Sequence, residues 1–393
     1  MAKLSVDRLD VTGKRVLVRV DFNVPLEQGR VTDDTRITAA LPTIRHLMEK
    51  KARVVLVSHL GRPKGKPDPQ FSLAPVAKRF AELLGAPAVF SPEVIGPKAK
   101  AAVDALAPGG VVLLENVRFH KEEEKNDPDF AKALAELADL YVSDAFGTVH
   151  RAHASTEGVA KLFPQAAAGF LIATELDYLS QALVKPKKPF VAVLGGAKVG
   201  DKIGVIRNLL TKADSLLIGG AMAYSFLHVQ GRPIGKSLLD KDNLDLARDL
   251  LKEAPRLGKS IVLPVDHRIA SEISPQAQAQ VCGINIPEGM IGLDIGPVTA
   301  QAFANTIKRA KLVIWNGPMG MFELPAFQEG TFSIARTLAE SEAVSIVGGG
   351  DSVAAVNQAG VAGQISHIST GGGASLEFLE GKKLPGIEVL TEG

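Results

Sequence analysis

The chain has 393 residues, which predicts two domains or at most three, since single domains typically have roughly 100–200 residues. Hydrophobic residues make up 46% and charged residues 22% of the chain, a balance that excludes a disordered, collagen-like or coiled-coil protein. The formal net charge is only +2, so the composition favours neither nucleic acid nor an anionic membrane as a partner.

No targeting segment is visible in the sequence. Met1–Arg8 contains no apolar core of signal-peptide length, and nowhere do about 18 apolar residues follow one another. We therefore expect a cytoplasmic protein. The single cysteine, Cys282, excludes an internal disulfide and a thiolate-rich metal site, and we expect it to be a small, buried apolar side chain.

Short apolar runs rich in β-branched residues recur along the chain and predict buried parallel strands. In chain order they are Val16–Val20, Val54–Val57, Val111–Leu114, Tyr141–Ser143, Phe190–Leu194, Leu216–Ile218, Ile261–Leu263, Leu312–Trp315 and Val344–Val347. Between them lie stretches with helical spacing, such as Ile37, Leu41 and Ile44, as crossover helices require. The alternation predicts βαβ units.

A break falls in the middle of the chain. The apolar stripe Ile172, Leu176, Leu179 and Leu183 predicts one helix, which the two prolines of Lys185–Pro189 end. We therefore predict an α/β fold of two doubly wound, Rossmann-like domains with parallel sheets, joined by a helix. The predicted limits are residues 1–170, a helix and linker over 171–188, and residues 189–370.

Ligands of such sheets bind beyond the carboxyl ends of the strands, so the residues that follow each run predict the chemistry. In the first half, arginine and histidine stand there: Arg62, Arg118 and Arg151 follow three strands and Arg36 begins a helix. Because the planar guanidinium matches carboxylate and phosphate oxygens, the set predicts a site for a small polyanion. Each arginine alone could instead be a surface residue.

Two pairs of side chains in the first half have more than one interpretation. Arg118 could simply form an ion pair with Glu122. His150 and His153 have a spacing that could bind a metal ion, but no acidic or thiol ligand stands at a matching distance. We therefore expect these histidines to bind phosphate or to form hydrogen bonds in the core.

In the second half the strands end in glycines. Gly348–Gly350 and Gly371–Gly373 precede helix-compatible stretches, and Gly195 and Gly196 are followed by Lys198 and Lys202. Such loops let backbone N–H groups approach a phosphate at a helix N-terminus, although a tight turn alone also favours glycine. The P-loop pattern fails at Asp201, and the G-x-G-x-x-G fingerprint is absent from these loops. A nucleotide site of a third type remains.

Asp351 begins the helix after one of these glycine loops. It could be a favourable charge at the helix N-terminus, or a carboxylate that holds nucleotide-bound magnesium, which needs only one or two protein oxygens. The sequence contains no G-x-S-x-G motif, reactive cysteine setting or paired general-base histidine. Phosphoryl transfer needs none of these, because positioning and charge stabilisation suffice.

Taken together, these motifs resemble the phosphoglycerate kinase family, and the resemblance extends over nearly the whole chain. The matching segments are Val18–Pro25, Asp33–Ile37, Ser58–Pro63, Glu115–Phe119, Asp144–His153, Gly195–Ile203, Trp315–Pro318, Gly348–Ser352 and Ser369–Ser375. The resemblance implies reversible, magnesium-dependent transfer of the acyl phosphate of 1,3-bisphosphoglycerate to ADP, giving 3-phosphoglycerate and ATP.

The resemblance also implies the residues of each site. The acid-substrate residues are Asp21, Phe22, Asn23, Arg36, His59, Leu60, Gly61, Arg62, Arg118 and Arg151. The nucleotide residues are Gly195, Ala197, Lys198, Lys202, Gly219, Gly292, Leu293, Asn316, Glu323, Gly349, Gly350, Asp351 and Ser352. In the family's pattern Glu323 binds the ribose, Asp351 the magnesium and Lys202 the phosphates. The expected catalytic residues are Arg36, Lys198, Lys202, Gly371, Gly372 and Gly373.

For the whole molecule the resemblance implies a cytoplasmic monomer of two lobes that close by a hinge. Residues 371–393 would form part of the hinge and then return to the first lobe, over roughly Leu376–Leu390. One departure is Ala221, where many members are expected to have a third glycine after Gly219 and Gly220. One rival function is a two-lobed anion-binding protein without catalysis, which normally has a secretory signal and has no use for two glycine-rich loops. The other is a nicotinamide dehydrogenase, whose fingerprint is missing.

Overall fold

The computed structural model describes residues 3–393 and divides into two compact units. The first unit contains the chain up to Asp177 together with Lys383–Gly393, and the second contains Tyr178–Lys382. Each has a six-stranded parallel sheet with helices between its strands, which confirms the predicted fold class.

The first unit is built on short buried strands. They are β1 (Arg15–Val20), β2 (Leu26–Glu27), β3 (Arg30–Val31), β4 (Arg53–Val57), β5 (Val89–Phe90), β6 (Val111–Leu113), β7 (Leu140–Asp144) and β8 (Ala166–Ala168). The helices are α1 (Thr35–Glu49), α2 (Ala74–Leu84), α3 (Pro97–Asp104), α4 (Lys121–Glu124), α5 (Pro128–Ala135) and α6 (Phe170–Leu183). The parallel sheet has the order β5-β6-β4-β1-β7-β8, so β1 lies in its interior.

The second unit repeats this plan. Its strands are β9 (Phe190–Leu194), β10 (Ser215–Ile218), β11 (Ser260–Val262), β12 (Asp266–Ala270), β13 (Gln280–Gly283), β14 (Ile291–Ile295), β15 (Leu312–Asn316), β16 (Val344–Gly348) and β17 (His367–Ile368). Its helices are α7 (Ile203–Lys212), α8 (Met222–Val229), α9 (Leu244–Arg256), α10 (Pro297–Lys308), α11 (Glu329–Glu340), α12 (Gly350–Gln358) and α13 (Gly373–Leu379). The parallel sheet has the order β11-β10-β9-β15-β16-β17, and β13-β12-β14 form a separate antiparallel sheet.

Each predicted apolar run forms a strand whose ends lie within one residue of those expected. The reason is burial on both faces: Val16, Val54 and Leu113, for example, are fully covered by helices. The antiparallel sheet was not predicted, and it corrects one expectation. Cys282 lies on β13 at the margin of an apolar cluster and is half-buried rather than buried.

The helix α6 begins in the first unit, where two side chains hold its N-terminus. Thr43 Oγ1 accepts a hydrogen bond from the Phe170 amide at 2.9 Å, and Asp144 Oδ1 accepts one from the Leu171 amide at 3.0 Å. Burial raises the pKa of Asp144 to about 7, while hydrogen bonds from the Thr43 side chain and from the Ile172 and Leu171 amides act in the opposite direction. The division between the units falls inside α6, between Asp177 and Tyr178.

The C-terminal part of the chain passes from the second unit back to the first. Helix α13 lies in the second unit, where the Leu379 carbonyl accepts a hydrogen bond from Asn208 Nδ2 at 2.7 Å. From Lys383 onward, including α14 (Pro385–Glu388), the chain lies in the first unit. There the Leu4 amide donates to the Thr391 carbonyl at 2.8 Å. Among the described residues, no helix is long and apolar enough to cross a membrane.

Candidate active site

In the first unit the predicted acid-substrate residues follow β1, β4, β6 and β7 at the carboxyl edge of the sheet. Asp21 comes directly after β1 and is 8% exposed. Its Oδ2 accepts a hydrogen bond at 2.8 Å from Nη1 of Arg36, which lies in the first turn of α1. This ion pair is half-covered, since the Arg36 side chain is 38% exposed.

A second chain of hydrogen bonds connects three of these loops. The Gly61 amide donates to Asn23 Oδ1 at 2.9 Å, and Arg118 Nη1 donates to the Gly61 carbonyl at 2.9 Å. Gly61 has φ of +59°, and a Cβ there would lie 2.2 Å from the Phe71 ring, so both conformation and space require glycine. The loops that carry Asn23, Gly61 and Arg118 are thereby fixed to one another.

Arg118 is buried, and its partner differs from the one considered from the sequence. Its Nε lies 3.3 Å from Oε1 of Glu124, not Glu122. The Glu124 side chain is 52% exposed, so this ion pair is weak. Burial lowers the pKa of Arg118, and the neighbouring Arg19 and Arg151 act in the same direction.

His59 shows where the positive charges converge. It is 4% exposed, and its pKa lies well below the ordinary value, first because of burial and then because of Arg19, Arg118, Arg36 and Arg151. The imidazole is therefore neutral at neutral pH. A region in which arginines share so few anionic partners attracts a small polyanion.

The other predicted residues of this site have different surroundings. The side chains of Phe22 and Leu60 are buried in the apolar core, and the Phe22 ring lies 5.5 Å from that of Phe80. Arg62 and Arg151 are exposed, and Arg151 Nε donates to His150 Nε2 at 3.1 Å. Among the described residues there is no group of three histidine, cysteine, aspartate or glutamate side chains able to hold a metal ion.

A buried polar group beneath these loops was not predicted from the sequence. Arg19 on β1 is 1% exposed and Glu123 is fully buried; both bond to Ser155. The available signal was an arginine within an otherwise apolar strand, since a buried charge requires partners.

In the second unit, the predicted nucleotide residues border a cavity of about 710 Å³. Five of them line it: Ala197, Gly292, Leu293, Glu323 and Asp351. Tyr224, Lys236, Leu238 and Pro318 line it too and were not predicted. Much of this wall comes from β14, where Gly292 and Leu293 were expected, and from segments next to the antiparallel sheet, which the sequence did not indicate. Ala221 also lines the cavity, so the departure from a third glycine lies at the wall itself.

The glycine loops pack against one another closely. A Cβ on Gly195 would lie 2.0 Å from the Pro318 carbonyl oxygen, and one on Gly219 would lie 2.4 Å from Met319 Sδ. Gly220 has φ of +66°, and a Cβ there would lie 2.4 Å from the Gly196 amide nitrogen. Gly195 and Gly220 require glycine because backbone of a neighbouring loop approaches them, and the same approach leaves backbone along the cavity.

The Lys202 side chain connects two of these loops by hydrogen bonds. Its Nζ donates to the carbonyls of Gly195 at 2.7 Å and Asn316 at 3.0 Å. Burial lowers its pKa to about 8, while the carboxylates of Asp351 and Asp201 act in the opposite direction. Lys202 is thus a positive charge beside Asp351.

The remaining nucleotide residues divide into supporting and exposed groups. Asn316 Nδ2 donates to the Gly348 carbonyl at 2.9 Å, and Ser352 Oγ accepts from the Gly317 amide at 2.6 Å, so both side chains fix loop backbone. The exposed or half-exposed residues are Lys198, Gly349, Gly350, Gly372 and Gly373. Gly371 is buried, and its amide donates to Ser369 Oγ at 3.2 Å.

The residues present fit a magnesium ion that arrives with a nucleotide. Asp351 lies in the first turn of α12, is exposed and lines the cavity. Within residues 3–393 no hydrogen bond or ion pair engages its carboxylate, so its oxygens are available to a cation. One carboxylate suffices for a magnesium ion that keeps several waters and binds phosphate oxygens.

Comparison with known proteins gives a consistent result. The sequence model of the phosphoglycerate kinase family matches residues 6–382. The phosphoglycerate kinase of Moorella thermoacetica is 58% identical over 393 residues, which is 100% of both chains. This chain belongs to the phosphoglycerate kinase family. It is therefore a phosphotransferase with a carboxyl group as acceptor, and it acts in glycolysis. Membership of the family excludes the dehydrogenase and the non-catalytic binding protein.

Solved structures of the family agree. The phosphoglycerate kinase from Coxiella burnetii is 45% identical, with a TM-score of 0.91 and 98% of each chain covered. The enzyme from Pyrococcus horikoshii OT3 is 33% identical, with a TM-score of 0.86 and the same coverage. The fold is that of the family.

Proposed function

We propose that the first unit binds 3-phosphoglycerate or 1,3-bisphosphoglycerate, and that the second unit binds ADP or ATP. The supporting observation is the separation of chemistry: arginines converge around His59 in one unit, and a glycine-lined cavity lies beside Lys202 and Asp351 in the other. Arginine suits carboxylate and phosphate oxygens, and backbone amides at helix N-termini suit nucleotide phosphates.

The reaction is direct in-line phosphoryl transfer. A terminal oxygen of the ADP β-phosphate forms a bond to the phosphorus of the acyl phosphate, and the P–O bond to the carboxyl group breaks with its electron pair on the carboxylate. No proton transfer is required. Arg36, Lys198 and the backbone of Gly371–Gly373 stabilise the transferring phosphoryl group, and Lys202 binds the nucleotide phosphates.

Asp351 is the residue proposed to hold magnesium, which when bound neutralises charge on the nucleotide phosphates. The Asp351→Ala variant should weaken binding of magnesium–ADP and leave binding of 3-phosphoglycerate unchanged. Calorimetry with each ligand measures both affinities. Asp201→Ala is the matched control, since Asp201 is an exposed carboxylate that also acts on Lys202 but does not line the cavity.

A coupled assay of ATP formed from ADP and 1,3-bisphosphoglycerate tests the proposed reaction. Activity that requires magnesium and is abolished by Arg36→Ala supports it, whereas full activity in that variant refutes the site. We also propose that the enzyme is a cytoplasmic monomer, as the family assignment suggests. Light scattering after size-exclusion chromatography measures the mass, for which a dimer is the contrary result.

A further inference from the structure

One buried residue faces the proposed acid-substrate site without belonging to it. Arg19 Nη2 lies 3.2 Å from Nδ1 of His59, at hydrogen-bond distance. A guanidinium has only donor hydrogens, so Arg19 donates and Nδ1 of His59 accepts. A nitrogen that accepts a hydrogen bond carries no proton.

The charge state of His59 shows which of its two ring nitrogens carries the proton. Burial and the surrounding arginines hold the pKa of His59 well below its ordinary value, so the ring is neutral and carries one proton. Because that proton is absent from Nδ1, it resides on Nε2. The groups acting on the ring from neighbouring elements are Arg19 on β1, Arg36 on α1, Arg118 and Arg151 in loops, and Asp21 after β1.

Asp21 favours the opposite tautomer. Its Oδ1 lies 3.9 Å from the same Nδ1, too far for a hydrogen bond but close enough to attract a proton there. In the free enzyme, Arg19 and Asp21 therefore compete for the protonation state of one nitrogen. The Arg19 contact is at hydrogen-bond distance and the Asp21 contact is not, so Nδ1 of His59 stays unprotonated.

Arg19 itself is rigidly held. Its Nε donates to Ser155 Oγ at 2.7 Å, and its Nη1 donates to the Val20 carbonyl. Ser155 in turn donates from Oγ at 2.6 Å and from its amide at 2.9 Å to the buried carboxylate of Glu123. Burial raises the pKa of Glu123, while Arg19 and the hydrogen bonds from Ser155 lower it, so the buried guanidinium and the carboxylate stabilise each other's charge. The bonds also fix the plane of the guanidinium.

We propose that Arg19 is a positioning residue that fixes His59 as the tautomer protonated on Nε2, so that His59 meets the acid substrate as a neutral hydrogen-bond donor. The substrate part of this inference rests on the proposed function. The opposite tautomer would present a lone pair of Nε2 to an anionic oxygen, which would repel it. Arg19 thus controls the substrate contact without touching the substrate.

The tautomer is measured by two-bond proton–nitrogen NMR on enzyme with ¹⁵N-labelled histidines, with the His59 signals assigned from their loss in His59→Asn. The free enzyme should show a pyridine-type Nδ1 and a pyrrole-type Nε2. Arg19→Met alone would leave Glu123 as an uncompensated buried charge and could unfold the first unit. The test variant therefore combines Arg19→Met with Glu123→Gln, which removes both charges together.

In the double variant we expect Nδ1 of His59 to become pyrrole-type, because Asp21 is then its nearest partner. The dissociation constant for 3-phosphoglycerate should rise roughly tenfold or more, as for the loss of one hydrogen bond to a charged group, while that for ADP stays unchanged. Arg15→Met is the control on β1: it also replaces an arginine by methionine, but Arg15 pairs with the exposed Asp139, so the variant should keep the tautomer.

A protonated Nδ1 in the free wild-type enzyme, or an unchanged pattern in the folded double variant, would overturn the proposal. A merely structural role of Arg19 could weaken substrate binding but would not exchange the two nitrogen signals. Failure of the wild-type enzyme to bind 3-phosphoglycerate would refute the proposed acid site instead. The NMR pattern of the free enzyme still decides the tautomer in that case.

Discussion

The arginines of the proposed acid site differ in how firmly their side chains are held. Arg118 is buried and bonded to the Gly61 carbonyl, and Arg36 pairs with Asp21, whereas Arg62 and Arg151 are exposed. A fixed guanidinium offers a preorganised charge, and a mobile one can follow a ligand at a greater entropic cost. The four arginines are therefore suited to different tasks.

Substitution should separate these tasks. Arg36→Ala is expected to lower kcat by about 10³-fold or more, because charge on the moving phosphoryl loses a stabilising partner. Arg62→Ala should mainly raise KM for 3-phosphoglycerate, because a contact made equally in the ground state is lost. Steady-state kinetics of both variants provide the comparison. Equal losses of kcat would contradict the division of roles.

Lys202 should make nucleotide binding dependent on pH. Its pKa is about 8, so the charged form that attracts phosphate is present below pH 8 and is lost as the pH rises through that value. The dissociation constant for ADP should therefore rise above pH 8. Titration calorimetry from pH 6.5 to 9.5 measures it, and Lys202→Arg, which stays charged, should remove the dependence. A wild-type affinity that is constant over this range would refute this role of Lys202.

At the scale of elements, the start of α6 depends on a buried acid. The folded-state pKa of Asp144, about 7, lies above its ordinary value of 3.8, so the folded state binds more protons than the unfolded state between these values. The free energy of unfolding should consequently fall as the pH rises from about 4 to about 7. Above pH 7 the full penalty of the buried charge is present.

Asp144→Asn keeps an oxygen for the Leu171 amide but cannot ionise. We expect the variant to gain stability relative to wild type as the pH rises from 4 to 7, by an amount on the order of 3 kcal/mol. Urea unfolding at several pH values measures the difference. Asp294 is a second buried acid with a pKa of about 7, so only the difference between the two proteins isolates Asp144. A constant difference would show that Asp144 does not titrate there.

Sequence patterns predicted the elements that are buried on both faces and failed for the others. Nine of the twelve strands in the two parallel sheets have the predicted apolar runs, and their ends were located within one residue; β5, β8 and β17, which have only two or three residues each, were not predicted. The strands β12, β13 and β14 carry polar or exposed residues, such as Arg268 and Val281, so no continuous apolar run marks them. The part of the cavity wall next to this sheet was missed for the same reason.

The residues of the candidate site could also be predicted only in part from the sequence. The matched motifs led to Asp21, Arg36 and Asp351, which carry the proposed chemistry. They did not indicate Arg19 or Glu123 as partners, because these residues are 104 positions apart and are connected only by contacts through Ser155. Hydrogen bonds of this kind depend on how the loops fold together, which local spacing does not encode.

For the whole molecule, the proposed chemistry requires two ligands on different units to meet. The reacting atoms must come within about 3–3.5 Å, and water must be excluded. Either ligand alone contacts chiefly its own unit and has little differential affinity for a closed state. We expect small-angle scattering to show a clear decrease in the radius of gyration only when both ligands are bound. A full decrease with 3-phosphoglycerate alone would contradict this.

Gly372 provides a test of the expected hinge, of which residues 371–393 would form a part. It has φ of +50°, and a Cβ there would meet nothing within 4 Å, so Gly372→Val imposes backbone strain without a steric clash. The variant should have a lower kcat and a blunted change in scattering, with unchanged affinity for each ligand alone. Gly360→Val is the matched control, since Gly360 also has a positive φ and open space but follows α12. An equal loss of kcat in both variants would show that backbone strain anywhere in the unit lowers kcat, and would contradict a specific role of Gly372 in the hinge.

The return of Lys383–Gly393 to the first unit has a consequence for protein synthesis. The second unit is one continuous segment, whereas the first is completed by residues such as Leu390 and Glu392, whose carbonyl and carboxylate accept hydrogen bonds from Lys3. A ribosome adds residues from the N-terminus, so a nascent chain that has emerged as far as Lys382 contains everything the second unit needs but still lacks the last segment of the first. The earlier-translated unit is then the later one to reach its full set of contacts, and a stop codon before Lys383 would leave it permanently without them.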